Sequence, residues 1–164
     1  MLGKKLDGRY HVLSKLGSGA MGDVYLVQHI LLRRREALKI LNKRLAATQQ
    51  FVSRFRREAR ATNRLHHPNI VSLYDIGQLP DGHFYITTEY AEGENLGVLL
   101  QHTGALPPAR VVAILVQLAD AVGHAHERGV VHRDIKPDNM ILIEHRGKPS
   151  TAGWTSWSTM PAWP

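Results

Sequence analysis

The sequence predicts an α+β protein in two parts: a five-stranded antiparallel sheet with one main helix, then a helical part. Three observations carry this. Between Tyr10 and Tyr90, short runs rich in β-branched and aromatic residues alternate with turns of Gly, Pro and Asp. One arginine-rich segment in that region places apolar residues at intervals of three and four, the period of a helix. After Gly93 the pattern becomes helical, with a long apolar-faced stretch from Pro107 to Glu127.

Tyr10–Leu16 and Val24–Gln28 read as strands joined by a glycine-dense turn, a hairpin. Ala37–Leu41, after the basic turn Arg33-Arg34-Arg35, reads as the next strand. Phe51, Phe55, Ala59, Thr62 and Leu65 form the apolar stripe of a helix over 51–65, beside which Glu58 falls. His67-Pro68-Asn69 breaks that helix, because proline restricts the residue before it. Strand-like runs follow at Ile70–Ile76 and His83–Tyr90, joined by the turn Pro80-Asp81-Gly82. Leu96–Gln101 predicts a short helix and Pro107–Glu127 a long one, with prolines in its first turn and Gly129 as its stop. Ile114, Leu115, Leu118, Ala121, Val122 and Ala125 give the long helix an apolar face. The stretch from Val130 to Ile143 reads as a loop ending in a strand.

Composition narrows the chemistry. With 164 residues, 43% of them hydrophobic, the chain can bury one core without disulfides or a structural metal. The absence of cysteine removes thiolate metal sites and cysteine nucleophiles, and the ten histidines show no ligand-like pair at helical spacing. No signal-peptide pattern opens the chain, and the longest apolar run, Val111–Val116, is far below the roughly 20 residues that span a bilayer, so the expected location is the cytoplasm. A net charge of +7 raises nucleic-acid binding as an alternative. Its clusters, Arg33–Arg35 and Arg54, Arg56, Arg57, Arg60 and Arg64, show only weakly the interleaved aromatics of a nucleic-acid surface and read as a turn and a solvated helix face.

Gly17-Ser18-Gly19-Ala20-Met21-Gly22 suits a phosphate-binding turn, since glycines let backbone N–H groups approach phosphate oxygens. A dinucleotide fingerprint would open a helix after its third glycine, whereas Val24–Val27 continues as strand. Lys39 follows Gly22 by 17 residues, and a lysine facing inward there needs a phosphate and a carboxylate, for which Glu58 is the candidate. Taken alone, either residue would be an ordinary surface charge. The strongest signal is His132-Arg133-Asp134-Ile135-Lys136-Pro137-Asp138-Asn139, flanked by Val130-Val131 and Met140-Ile141-Leu142.

This stretch resembles the catalytic loop of protein kinases, in the form with lysine two residues after the aspartate that marks serine/threonine kinases. Tyr10 to Ile143 resembles the family in order, most closely its bacterial receptor-like branch, as in Arg54–Arg60 and His67–Val71. The resemblance implies a protein-kinase-like two-lobe fold, with an N-lobe over 10–90 and the start of a C-lobe over 91–149. It implies ATP and Mg2+ as cofactors and phosphoryl transfer to Ser/Thr of a protein substrate, with another kinase chain as a further partner. By residue, it assigns Gly17, Ser18, Gly19 and Gly22 to the nucleotide phosphates, and Leu16, Val24 and Ala37 to the adenine walls. Lys39, held by Glu58, goes to the α/β-phosphates, Thr88 to the gatekeeper position and Glu89 to Ala91 to the hinge. Asp134 is implied to take the substrate proton, Lys136 to steady the γ-phosphate and Asn139 to hold magnesium.

Two departures stand against the pattern. The Asp-Phe-Gly motif is due about 18 residues beyond Asp134, near Ala152 or Gly153, yet no acidic residue follows Glu144. Residues 150–164, holding all three tryptophans, look foreign to the family and are expected to lack structure, and the tail after Lys148 or Pro149 is expected to be a frame-shifted or misassembled end of a longer kinase gene. The chain is thus expected to be truncated after the catalytic loop and weak or inactive, which keeps open the alternative of a nucleotide-binding pseudokinase or regulatory fragment. Glu36, the second departure, stands where the family carries an apolar residue.

Overall fold

The computed structural model describes residues 1–19, 22–43, 49–145 and 148–154, with the side chains of Gln49, Arg54, Glu58 and everything from Glu144 onward outside the description. The chain divides into two compact units: Met1–Asn63 with Ser72–Tyr90, and Arg64–Val71 with the segment from Ala91 onward.

The first unit is an antiparallel sheet in the order β1-β2-β3-β4-β6-β5 with one helix. Its strands are β1 Lys5–Leu6, β2 Tyr10–Gly19, β3 Gly22–His29, β4 Arg35–Leu41, β5 Leu73–Gln78 and β6 Phe84–Glu89, and helix α1 spans Gln49–Thr62. The five expected strands are present, and β1 adds a sixth at the edge by pairing Lys5 with His11 and Leu6 with Tyr10. Two residues are too few to show the alternation by which strands are read.

β4 lies between β3 and β6, and its alternate residues face opposite ways. Leu38 and Ile40 enter a cluster with Tyr10, Val12, Tyr25, Val27, Leu79 and Tyr85. Glu36 shares that face and is fully buried. One carboxylate oxygen accepts from Arg34 Nε at 2.7 Å, while Oε2 meets no hydrogen-bond donor among the described residues. The arginine turn is therefore partly spent on the sheet itself: Arg34 bonds Glu36 and stacks over Tyr74, its Cζ 3.6 Å from the ring centroid. On α1, Val52, Phe55 and Ala59 are buried, and Phe55 meets Phe84 of β6 with ring centroids 6.1 Å apart.

A polar knot fastens the sheet edge. Arg9 donates to Asp7 and Asp75 and to the Tyr85 hydroxyl, which donates to Asp7 at 2.6 Å. The Tyr85 hydrogen bond, with Arg9 next, holds the Asp7 carboxyl below its usual range.

The second unit holds helices α2 Leu96–Thr103 and α3 Pro108–Glu127, a short 3-10 turn Pro137–Asn139, and a small sheet β7-β8-β9 of Glu94–Asn95, Met140–His145 and Lys148–Trp154. Its core gathers Leu65, Ile70, Leu96, Leu99, Ile114, Ala121, Ala125, Met140 and Leu142. This corrects two expected boundaries. Helix α1 ends at Thr62 and β5 begins at Leu73, because Leu65, Ile70 and Val71 are buried in the second unit instead of continuing the first unit's elements. On α3, Leu115 is exposed while Ile114 is buried, so the apolar face is narrower than its sequence. Backbone 150–154, expected without structure, pairs with β8 through Ser150 with Ile143 and Thr151 with Leu142. The rest of the expected tail, 155–164, lies outside the described residues.

The burial of Glu36 gives a stability prediction. Replacing a half-satisfied buried carboxylate by a β-branched apolar residue, while the partly exposed Arg34 regains water, is expected to stabilise the chain by about 1–2 kcal/mol. Urea denaturation of Glu36→Val is the measurement, and a lowered midpoint would show that the carboxylate holds the strand.

Candidate active site

Two constellations carry the candidate residues, one in each unit. In the first, β2 and β3 flank the glycine turn, with Gly17 opposite Val24, Ser18 opposite Asp23 and Gly19 opposite Gly22; Ala20 and Met21 lie outside the described residues. Gly22 has φ +144°, and a Cβ there would stand 1.9 Å from the carbonyl oxygen of Ile40, so β3 approaches β4 in a way only glycine permits. Gly17 and Gly19 differ: an added Cβ would meet nothing within 4 Å. Packing among the described residues does not demand glycine there. Lys15 Nζ lies 2.9 Å from Asp23 Oδ1 and braces the base of the turn. The sequence reading missed this pair, whose only signal is two opposite charges flanking the glycines.

The sheet register lines up the candidate residues. Gly17 pairs with Val24, Val24 with Lys39 and Lys39 with Ile86, a row across four strands, and one step along Leu26 pairs with Ala37 and Ala37 with Thr88. Directly opposed residues share a face, so the row and its neighbours form one surface. Lys39 is buried to 8% exposure, and burial pushes its ammonium from 10.5 down to about 8. Thr88 is buried and its hydroxyl donates to the carbonyl of Glu89 at 3.2 Å, while the Glu89 N–H bonds the carbonyl of Ser72 at 2.9 Å. Leu16 is half exposed. Glu58 is on α1, but its side chain lies outside the described residues. Ala91 is buried and belongs to the second unit.

The second constellation is tied together at short range. Asn139 is 1% exposed, and its Nδ2 donates to both the carbonyl and the carboxylate of Asp134, each at 2.8 Å. Lys136 Nζ lies 3.3 Å from the same Asp134 oxygen, and the Asn139 N–H closes the 3-10 turn onto the carbonyl of Lys136 at 3.0 Å. Arg133 takes φ +65°, a left-handed conformation costly for a residue with a Cβ. His132 Nδ1 accepts the N–H of Asp134 at 3.2 Å, which fixes the neutral ring with its proton on Nε2. Burial pushes His132 from 6.5 down to about 4, with the Asp134 carboxylate opposing. His132 thus shapes the loop, a role the sequence reading did not give it. Both donors of the Asn139 amide are committed to Asp134, so towards a cation it offers oxygen, the atom type magnesium takes.

Two predictions follow from this geometry. Gly22→Ala should lower stability by about 2–4 kcal/mol, because the clash is with backbone that cannot yield cheaply; a denaturant midpoint within error of the parent would contradict the close approach. Above pH 6.5 His132 is neutral whether the chain is folded or unfolded. As pH falls towards 4 the unfolded chain binds the proton first, so stability declines over that window. The decline in unfolding free energy measured from pH 7 to 4 should be shallower in His132→Gln.

The comparisons with known proteins agree with this picture. The family described as protein kinase domain matches residues 10–150. The chain is 46% identical over 147 residues to the serine/threonine-protein kinase PrkC of Bacillus subtilis, covering 90% of this chain and 22% of that protein. It is 38% identical over 148 residues to the serine/threonine-protein kinase pkn3 of Myxococcus xanthus, covering 90% of this chain and 27% of the relative. The chain thus spans about a quarter of the length of these curated relatives. The crystal structure of the Mycobacterium tuberculosis PknI kinase domain aligns with a TM-score of 0.79 at 35% identity, over 100% of this chain and 66% of that one. With the glycine turn, the inward lysine and the Asp134–Asn139 loop placed as described, the chain belongs to the protein kinase family, among its bacterial serine/threonine members.

Proposed function

We propose that the chain binds ATP and carries the catalytic loop for transfer of its γ-phosphoryl group to a serine or threonine hydroxyl of a protein. The observation that carries this reading is the Asp134–Lys136–Asn139 constellation, in which one carboxylate is oriented by an amide and flanked by an ammonium. ATP, when bound with Mg2+, supplies the phosphoryl group and the charge neutralisation of its oxygens.

The protein's own groups take the following parts. Backbone N–H groups of the Gly17–Gly22 turn face phosphate, since Gly17 and Gly19 are bare where packing does not require it. Ser18 lies within that turn. Lys39, whose ammonium burial disfavours, gains from an added anion, which suits the α/β-phosphates, with Glu58 as its holder on α1. Leu16, Val24 and Ala37 form the apolar walls for adenine, Thr88 restricts depth beside them, and backbone groups of Glu89 and Ala91 bond the base. Asp134 orients the acceptor hydroxyl and takes its proton, Lys136 stands at the γ-phosphate, and Asn139 offers its amide oxygen to magnesium.

The partner class is a protein with an accessible Ser or Thr; a second kinase chain is a further one. Among the described residues no helix is long and apolar enough to cross a membrane.

A specific observation favours a second reading. The positions due for the magnesium-binding aspartate carry Ala152 and Gly153. Electrostatic positioning supplies nearly all catalysis in phosphoryl transfer, so this chain in isolation would bind nucleotide and transfer poorly. Incubation with labelled ATP, magnesium and a basic protein substrate, beside Asp134→Asn, separates the two. Label transfer lost in the control supports the kinase reading for this chain; nucleotide binding lost in Lys39→Met, with no transfer, leaves the binding fragment. A folded chain with neither activity refutes both.

A further inference from the structure

Helix α2 begins beside the catalytic loop, and one side chain joins them. Asn95, at the N-cap of α2, has extended backbone angles of φ −68° and ψ 127°. Its Oδ1 accepts the N–H of Val98 at 3.1 Å, and its Nδ2 donates to the carbonyl of Asp138 at 2.7 Å. The orientation of the amide is fixed by chemistry: a backbone N–H can only donate and a carbonyl can only accept. Serine and aspartate cap helices about as well as asparagine does, and threonine somewhat less well. None of them supplies an acceptor on one side and an amide donor on the other.

The surroundings close the same contact. Asn95 pairs with Ile141 and Glu94 with Leu142, which brings β7 onto the strand leaving the loop. At Gly97 a Cβ would stand 2.6 Å from Asp138 Oδ1, so the bare backbone of α2 lets Asp138 lie against the helix's first turn. Asp138 immediately precedes Asn139, and Asn139 holds Asp134 through both of its amide protons. All of these residues lie in the second unit.

We infer that Asn95 is a positioning residue for the phosphotransfer loop, its cap side fixed by α2 and its donor side holding the Asp138 carbonyl so that Asn139 stays set on Asp134. The consequence for catalysis rests on the function proposed above; the mechanical claim does not.

The test separates the two jobs of the side chain by hydrogen–deuterium exchange of the intact 164-residue chain without nucleotide. Asn95→Ser keeps the cap and loses the tether. Exchange in residues 132–140 should rise about five- to tenfold, the loss of one net hydrogen bond, with a thermal midpoint lowered by only about 2–4 °C, while the turns of α2 keep parental exchange. Asn95→Ala removes both bonds and should loosen α2 as well and lower the midpoint further. Parental exchange of 132–140 in Asn95→Ser, or a rise spread evenly over the second unit, would overturn the inference and leave Asn95 a helix cap only. Because the readout needs no ATP, a folded chain that neither binds nucleotide nor transfers phosphate overturns the function proposed above and leaves this result standing.

Discussion

The candidate site in the first unit depends on the register of β3 on β4. Gly22 approaches the carbonyl of Ile40 more closely than any residue with a side chain could, and the pairing runs from there through Val24 and Lys39 to Gln28 and Arg35. Because successive side chains alternate, a slip of one residue would move Lys39 to the face that now holds Glu36, Leu38 and Ile40 and turn the apolar cluster outward. The row Gly17–Val24–Lys39–Ile86 exists only in the observed register. The glycine turn and the lysine are far apart in sequence but are set by one geometric constraint.

Charge is handled differently on the two faces of that sheet. Lys39 stands opposite Val24 and Ile86 in the sheet, and desolvation is the cause of its lowered basicity. The opposite face accommodates Glu36, Arg34 and Tyr74 in one contact group and Arg9, Asp7, Asp75 and Tyr85 in another. Several of these groups are partly exposed, so each pair alone contributes little. Their value lies in satisfying the hydroxyl of the fully buried Tyr85 and in fixing the β1–β2 turn to β5 and β6. The bond from Arg34 to Glu36 also weakens the reading of the basic turn as a nucleic-acid surface, which rested on net charge alone.

The loop from His132 to Asn139 follows a different logic. His132, Asp134, Lys136 and Asn139 are near neighbours in sequence and bond within the loop, so the loop's shape is largely local. Its placement is not. Asn95 reaches the loop from 43 residues away, and β7 pairs with the strand that follows. Local bonds define the constellation, and a distant side chain fixes where it stands within its unit.

The sequence by itself determined the order and kind of the main elements, since β-branched runs, the glycine turn and the helical stripes report local propensity and periodicity. It also determined the family, because the residues of the loop from His132 to Asn139 must recur together for the chemistry to work. The tertiary structure decided what periodicity cannot express. It divided the segment from Leu65 to Ile76 between the two units, ending α1 at Thr62 and starting β5 at Leu73, because burial is a property of the assembled unit and not of the segment. It buried Glu36 against Arg34, added β1, drew residues 150–154 into a strand, and gave Asn95 its second partner. Each of these depends on contacts between residues remote in sequence, or, as with Arg34 and Glu36, on which face the assembled sheet turns inward, and neither is carried by local pattern.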